Sequence, residues 1–284
     1  TSSNSCYRFE KYTSSDGLYS SIDATYILHL EGDPRLSNIK KQLSLAYPTN
    51  IVYIVFNKGY KKCKKDLAVQ SSMYDIIHAN LEVFKHSKLN NYSNILICED
   101  DFVFNPDIKN MQHITNVNKF LNDNDKEKFI YHLGALPFIV IPYNTYTYYS
   151  RATGMHAGIF TKSAQEYILN YSTHNTITDW DDFLINNVRK YIYYKSLCHQ
   201  TITNTENSKN WNLNEISRYI VNTYIKISNF DKLPEPGTSY MYIFAKVFSF
   251  LLFLLIVFIL HLILSYLNIY KFMFKSFRAY RLKR

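Results

Sequence analysis

Glycine and proline are scarce, at seven each in 284 residues, and only four cysteines are present. That scarcity excludes collagen-like and low-complexity chains. The cysteines, at positions 6, 63, 98 and 198, show no paired spacing and no Cys-x-x-Cys, so neither a disulfide framework nor a zinc cluster is expected. Acidic residues are missing altogether from Tyr240 onward, a stretch that holds seven basic ones. Setting those seven of 32 aside leaves 25 basic against 23 acidic residues before Tyr240, so the formal charge of +9 belongs mostly to the tail. A nearly neutral domain argues against nucleic acid as a partner.

What is abundant is apolar and aromatic: 47% hydrophobic and 17% aromatic residues, enough for one sizeable core. From Val247 to Leu267 the run "VFSFLLFLLIVFILHLILSYL" carries no formal charge over 21 residues. As a helix it spans ~30 Å, the hydrocarbon thickness of a bilayer. It reads as a transmembrane helix over 241–268, preceded by a linker at 231–240 and followed by a basic tail at 269–284. Tyr240, Tyr242, Tyr266, Tyr270 and Phe274 are expected to form an aromatic belt. The basic excess after the helix predicts a cytosolic tail and a domain that is luminal or extracellular. Two glycosylation triplets, at Asn91 and Asn170, suit that side but arise readily by chance.

Residues 1–21, rich in Ser, Thr and Asn, read as irregular, and the globular domain is expected over 22–230. "DATYILHL" predicts a strand, "EGDPR" a turn, "LSNIKKQLSLAY" a helix and "NIVYIVF" a second strand, a unit that builds parallel sheet. Asp66–Lys88 is expected as helix, "NILIC" as a buried strand, "KFIYHL" and "PFIVIP" as two strands, "HAGIFTKSAQEYILN" as strand then helix, and "TDWDDFLINNVRKYIYY" as a helix capped by Asp179. The fold class that follows is α/β, with a mixed, mostly parallel sheet flanked by helices.

The chemistry concentrates in "CEDDF". Extended backbone alternates its side chains, so Glu99 and Asp101 face one side and Asp100 the other. Two hard oxygen donors at the carboxyl end of a parallel strand make a partial Mg²⁺ or Mn²⁺ site. Asp181 and Asp182 are candidate general bases, or simply N-terminal charge complementing a helix dipole. His199 is a candidate ligand, Gly154 and Gly158 permit close approach of a ligand, and the basic loop Lys58–Lys65 is either phosphate-facing or solvated.

Taken in order, "YILHLEGDPRLSNIKKQL", "LICEDDFVF", "FIYHLGALP", "TGMHAGIFTKSAQEYIL" and "TDWDDFLINNVRKYIYYKSLCHQ" resemble the successive motifs of glycosyltransferase family 25. The resemblance departs at His29, where the family tends to have Asn, at Gly158 and Thr161, and in the C-terminal anchor. It implies a GT-A (Rossmann-like) fold and a nucleotide-sugar donor such as UDP-galactose or UDP-glucose. It also implies Mn²⁺ or Mg²⁺ held through Glu99, Asp101 and His199, with donor binding by His29, Leu30, Arg35, Asp100, Asp101, Gly154 and Gly158. Asp181 or Asp182 is then the base acting on a hydroxyl of a glycan, lipid-linked sugar or protein. The competing expectation is a catalytically degenerate, membrane-tethered binding protein of the same fold.

Overall fold

The computed structural model describes residues 6–200, 215–229 and 235–281. Nine strands and seven helices follow in the order β1 (Tyr7–Thr13), β2 (Ala24–Leu30), α1 (Leu36–Leu45), β3 (Ile51–Asn57), α2 (Ser72–Leu89), β4 (Asn94–Glu99) and β5 (Phe102–Phe104). After a 3₁₀ turn come α3 (Met111–Asp123), β6 (Phe129–Pro142), β7 (Thr147–Thr161), α4 (Lys162–His174), α5 (Trp180–Asn187), β8 (Arg189–Tyr193) and β9 (Cys198–Gln200). The last two are α6 (Glu215–Ser228) and α7 (Gly237–Arg281).

Seven strands form one sheet in the order β1-β3-β2-β4-β7-β6-β8, and β5 pairs with β9 in a small second sheet. Pairing is parallel for β3–β2, β2–β4 and β6–β8 and antiparallel for β1–β3, β4–β7, β6–β7 and β7–β8. The α/β class with a mixed sheet between helices is the one the sequence predicts. Both faces are covered, which explains the nearly continuous apolar strands. On β4, Leu96 and Cys98 enter the core under α1 and α3, while Ile95 and Ile97 enter the one under α2 and α4.

Several elements differ from expectation. The segment read as irregular contains β1, which adds antiparallel to β3. Its Cys6 is disulfide-bonded to Cys63, so the expectation of no disulfide is corrected; a 57-residue separation leaves no spacing signature. Helix α2 starts at Ser72 rather than Asp66, because Ser71 caps it and the preceding loop turns inward. There Lys65 is buried against Asp75 and Asn57, so this lysine of the basic loop is neither solvated nor phosphate-facing. The segment expected as one helix after Asp179 is α5 followed by β8, since Val188 is extended and "RKYIY" pairs parallel with β6.

The two strands expected at 128–142 are one, β6, with register shifts flanking Gly134. β9 crosses there: Leu197 N–H donates to Leu133 O at 2.8 Å, and a Cβ on Gly134 would lie 1.8 Å from Cys198 O. Gly134→Ala is therefore expected to cost about 3 kcal/mol, the upper range for overpacking. A denaturant midpoint unchanged from wild type would contradict this placement of β9.

Candidate active site

Parallel pairing of β2 with β4 brings their carboxyl ends side by side, and the site is built from that adjacency. Asp100, in the turn after β4, takes a hydrogen bond with His29 Nδ1 at 2.9 Å and an ion pair with Arg35 Nη1 at 2.8 Å. Arg35, just before α1, also grips Asp33 through Nε at 3.0 Å and reaches Asp101 at 3.7 Å. Asn38 of α1 donates to Phe102 O at 3.0 Å, fixing the turn from behind. Asp100 thus has its charge matched by Arg35.

Glu99 and Asp101 lie on the other side. Phe102 of β5 pairs with Gln200 of β9, and the Gln200 amide reaches back to both Asp101 carboxylate oxygens at 2.8 Å and to Glu99 Oε2 at 3.4 Å. Sharing one amide, these two carboxylates face the same space; strand alternation is not the cause, because β4 ends at Glu99 and both Asp100 and Asp101 lie in the turn that follows, where Arg35 Nη1 contacts both. Burial, reinforced by Asp101 and Asp181, pushes Glu99 well above the usual carboxylate range. Burial likewise pushes Asp101 up to about 6, with the Gln200 amide opposing.

Asp181, in the first turn of α5, is close enough to raise Glu99 and accepts a hydrogen bond from Gly154 N–H at 3.3 Å. Gly154 has φ +72°, a left-handed conformation that other residues adopt at a cost. Burial raises Asp181, and nearby Lys190 opposes it. Lys190 of β8 is itself pushed down to about 8 by burial, with Nζ donating to Ala152 O at 3.1 Å.

The expected site residues therefore separate. Glu99 and Asp101 come together through Gln200, with Arg35 and Asp100 beside them, while Asp181, bonded to Gly154, acts on Glu99 through its charge. Asp182 does not join them: it is exposed, and its Oδ1 accepts from Asn186 Nδ2 at 2.9 Å. His29 is buried behind Asp100, and Leu30 is exposed near Gly59. Gly158 lies within the sheet between Ile97 and His132.

His199 points away from Gln200 by strand alternation; its Nε2 is 3.0 Å from Asn105 Nδ2 and 3.4 Å from Glu235 Oε1. Among the described residues, no group of three or more His, Cys, Asp or Glu is gathered as a metal would require. Gln200 and Lys190 join the site without having been expected there. Gln200 closes the short run of β9, while Lys190 stands at the start of β8, in a segment whose pattern reads as helix.

Residues that would suit a divalent cation are nonetheless present. Glu99 and Asp101 are hard donors whose like charges are relieved by one neutral amide and, at Asp101 only, by the Arg35 guanidinium at 3.7 Å, which Asp33 and Asp100 share, so a cation would meet both carboxylates and leave positions for phosphate and water. With no cation, a group whose folded pKa is raised binds protons more tightly in the folded state than unfolded. Metal-free stability then falls as pH rises from about 4 to about 6, the window between the ordinary carboxylate value and that of Asp101. Thermal unfolding is expected several degrees higher near pH 5 than at pH ~7.5, with Asp101→Asn flattening the difference. A flat wild-type profile would count against the raised carboxylates.

Among solved structures, the chain is similar to the crystal structure of a glycosyltransferase involved in the glycosylation of the major capsid of PBCV-1, at 10% identity and a TM-score of 0.39, covering 66% of this chain and 97% of that one. No family model matches the chain. No curated protein matches it either. The functional reading therefore rests on the site.

Proposed function

We propose that the protein is a membrane-anchored, metal-dependent glycosyltransferase of GT-A type, moving a hexose from a nucleotide-sugar donor to a hydroxyl acceptor. The observation that carries the reading is the under-neutralised pair Glu99 and Asp101 at the carboxyl end of β4, with a separate carboxylate, Asp181 of α5, near enough to raise Glu99. The ordered resemblance to family 25 supports it, and so does the position of the site, since ligands of open α/β sheets bind at such strand ends.

A divalent cation held by Glu99 and Asp101 supplies, when bound, the charge neutralisation that lets a nucleoside diphosphate leave. Gln200 holds both carboxylates in one orientation, and the Arg35 guanidinium, 3.7 Å from Asp101, adds positive charge at the edge of the same space. Asp181 takes the proton from the acceptor hydroxyl as its oxygen bonds to the sugar. Burial keeps its basicity high, while Gly154 N–H fixes the carboxylate.

The anchor is α7. Among the described residues, its segment Gly237–Asn268 is long and apolar enough to cross a membrane by length and composition. The Cys6–Cys63 disulfide supports an oxidising compartment for the domain, and the basic excess after the helix supports a cytosolic tail.

Asp181→Asn tests the division of roles. Transfer should fall by about a hundredfold or more, while donor-dependent thermal stabilisation in Mn²⁺ persists, because the base acts on the acceptor. Loss of donor stabilisation in this variant would assign Asp181 to donor binding instead. Failure of the wild type to be stabilised by any nucleotide sugar with metal would favour the non-catalytic binding protein.

A further inference from the structure

Helix α7 begins beside the site and leaves along β6. At its start, Glu235 Oε1 lies 3.4 Å from His199 Nε2, one residue from Gln200. Farther along, Tyr242 and Ala245 are buried with Ala135, Val140, Ala152 and Ile192, which removes Tyr242 from the expected aromatic belt. Of that belt, Tyr240 and Tyr266 are exposed, while the side chains of Tyr270 and Phe274 fall outside the described residues. Lys246 Nζ donates to Tyr194 O at 3.0 Å and lies 5.4 Å from the Tyr148 ring. Val140 N–H donates to Ser249 Oγ at 2.8 Å.

These contacts give helix and strand a common direction. Tyr242 lies beside Ala135 and Ser249 beside Val140, so both advance together. A strand rises ~3.3 Å per residue and a helix ~1.5 Å, which sets Pro142 roughly level with Phe253. By then the helix is uncharged and mostly apolar: no formal charge occurs between Lys246 and Lys271. The β6–β7 hairpin tip therefore runs past the last charged helix residue into the level of the membrane-spanning segment.

The tip is made for that level. From Gly134 to Ser150 the chain carries no charged residue, and four tyrosines fall between Tyr143 and Tyr149. Ile141, Tyr143 and Tyr149 are 55%, 50% and 40% exposed. Tyrosine with one apolar neighbour is the composition of the lipid headgroup boundary.

We infer that this hairpin tip is a second membrane contact, which seats the domain on the bilayer instead of leaving it on a free tether. The inference rests on the anchor reading above. It fixes the height of the site: Gly237 to Ser249 spans ~18 Å of helix, so Glu99 and Asp101 stand about that far above the bilayer boundary.

The test uses the full chain reconstituted in phosphatidylcholine vesicles, with tryptophan introduced at single positions and the parent signal subtracted. Ile141→Trp and Tyr143→Trp should lose about half their fluorescence with lipids brominated at acyl carbons 6 and 7, and less with bromines at 11 and 12. Leu89→Trp, exposed at the end of α2 that precedes β4, should lose none. Phe253→Trp reports the anchor. If Phe253→Trp is quenched while both hairpin positions behave like Leu89→Trp, the seated domain is overturned and the anchor stands. If Phe253→Trp is also unquenched, the anchor itself fails, and the seat with it.

Discussion

Asp101→Asn is expected to lower sugar transfer by at least about a hundredfold without destabilising the fold, and to raise metal-free thermal stability at neutral pH. The two effects share a cause. Asp101 is buried beside Glu99, and removing its charge relieves repulsion that burial amplifies. The same change halves the anionic donor set and weakens any bound cation. Asp100→Asn is the contrasting control, because it strips a matched partner from His29 and Arg35 and should destabilise. Kinetics and thermal unfolding on both variants check the pair. Equal activity losses with equal destabilisation would mean that the acidic run is structural throughout.

Replacing Cys6 and Cys63 by Ser should cost about 2–5 kcal/mol and lower the unfolding midpoint by on the order of 10 °C. The bridge closes a long loop, with a separation of 57 residues, and ties the edge strand β1 to the segment that buries Lys65. Cys6 Sγ also lies near Lys64 O, so the bridge sits where the loop turns inward. Reductant should reproduce the shift in the wild type and leave the double variant unmoved. An unchanged midpoint in the double variant would show that the β1–β3 pairing holds that edge unaided.

The parts of this fold that were legible are those where one physical signal dominates. β2, α1, β3 and β4 each carry a clean apolar period or a short run bounded by turn residues, and their order alone implied parallel pairing. The Asp179 cap was legible because a single carboxylate faces a helix N-terminus. β8 was hidden because "RKYIY" continues an apolar pattern that a helix also satisfies, and only pairing with β6 decides it. The disulfide was hidden by distance along the chain, and β1 by its polar outward face at a sheet edge.

At the site, the place of the acidic run at the carboxyl end of a strand followed from the sequence, although Asp101 lies in the turn after β4 and not on the extended backbone that alternation assumes. Gln200 did not, since it reaches Asp101 through β5–β9 pairing across 99 residues. His199 was expected on the same side as the carboxylates, and alternation on β9 turns it toward Asn105 and Glu235 instead. Choosing between Asp181 and Asp182 likewise required α5 to be placed, after which only Asp181 meets Gly154.

The most direct measurement is anomalous diffraction from crystals soaked with Mn²⁺ and a UDP-sugar. The account predicts a manganese peak within about 2.0–2.3 Å of carboxylate oxygens of Glu99 or Asp101, bridging to the donor diphosphate. A donor bound elsewhere, or bound here with no metal on either carboxylate, would contradict it.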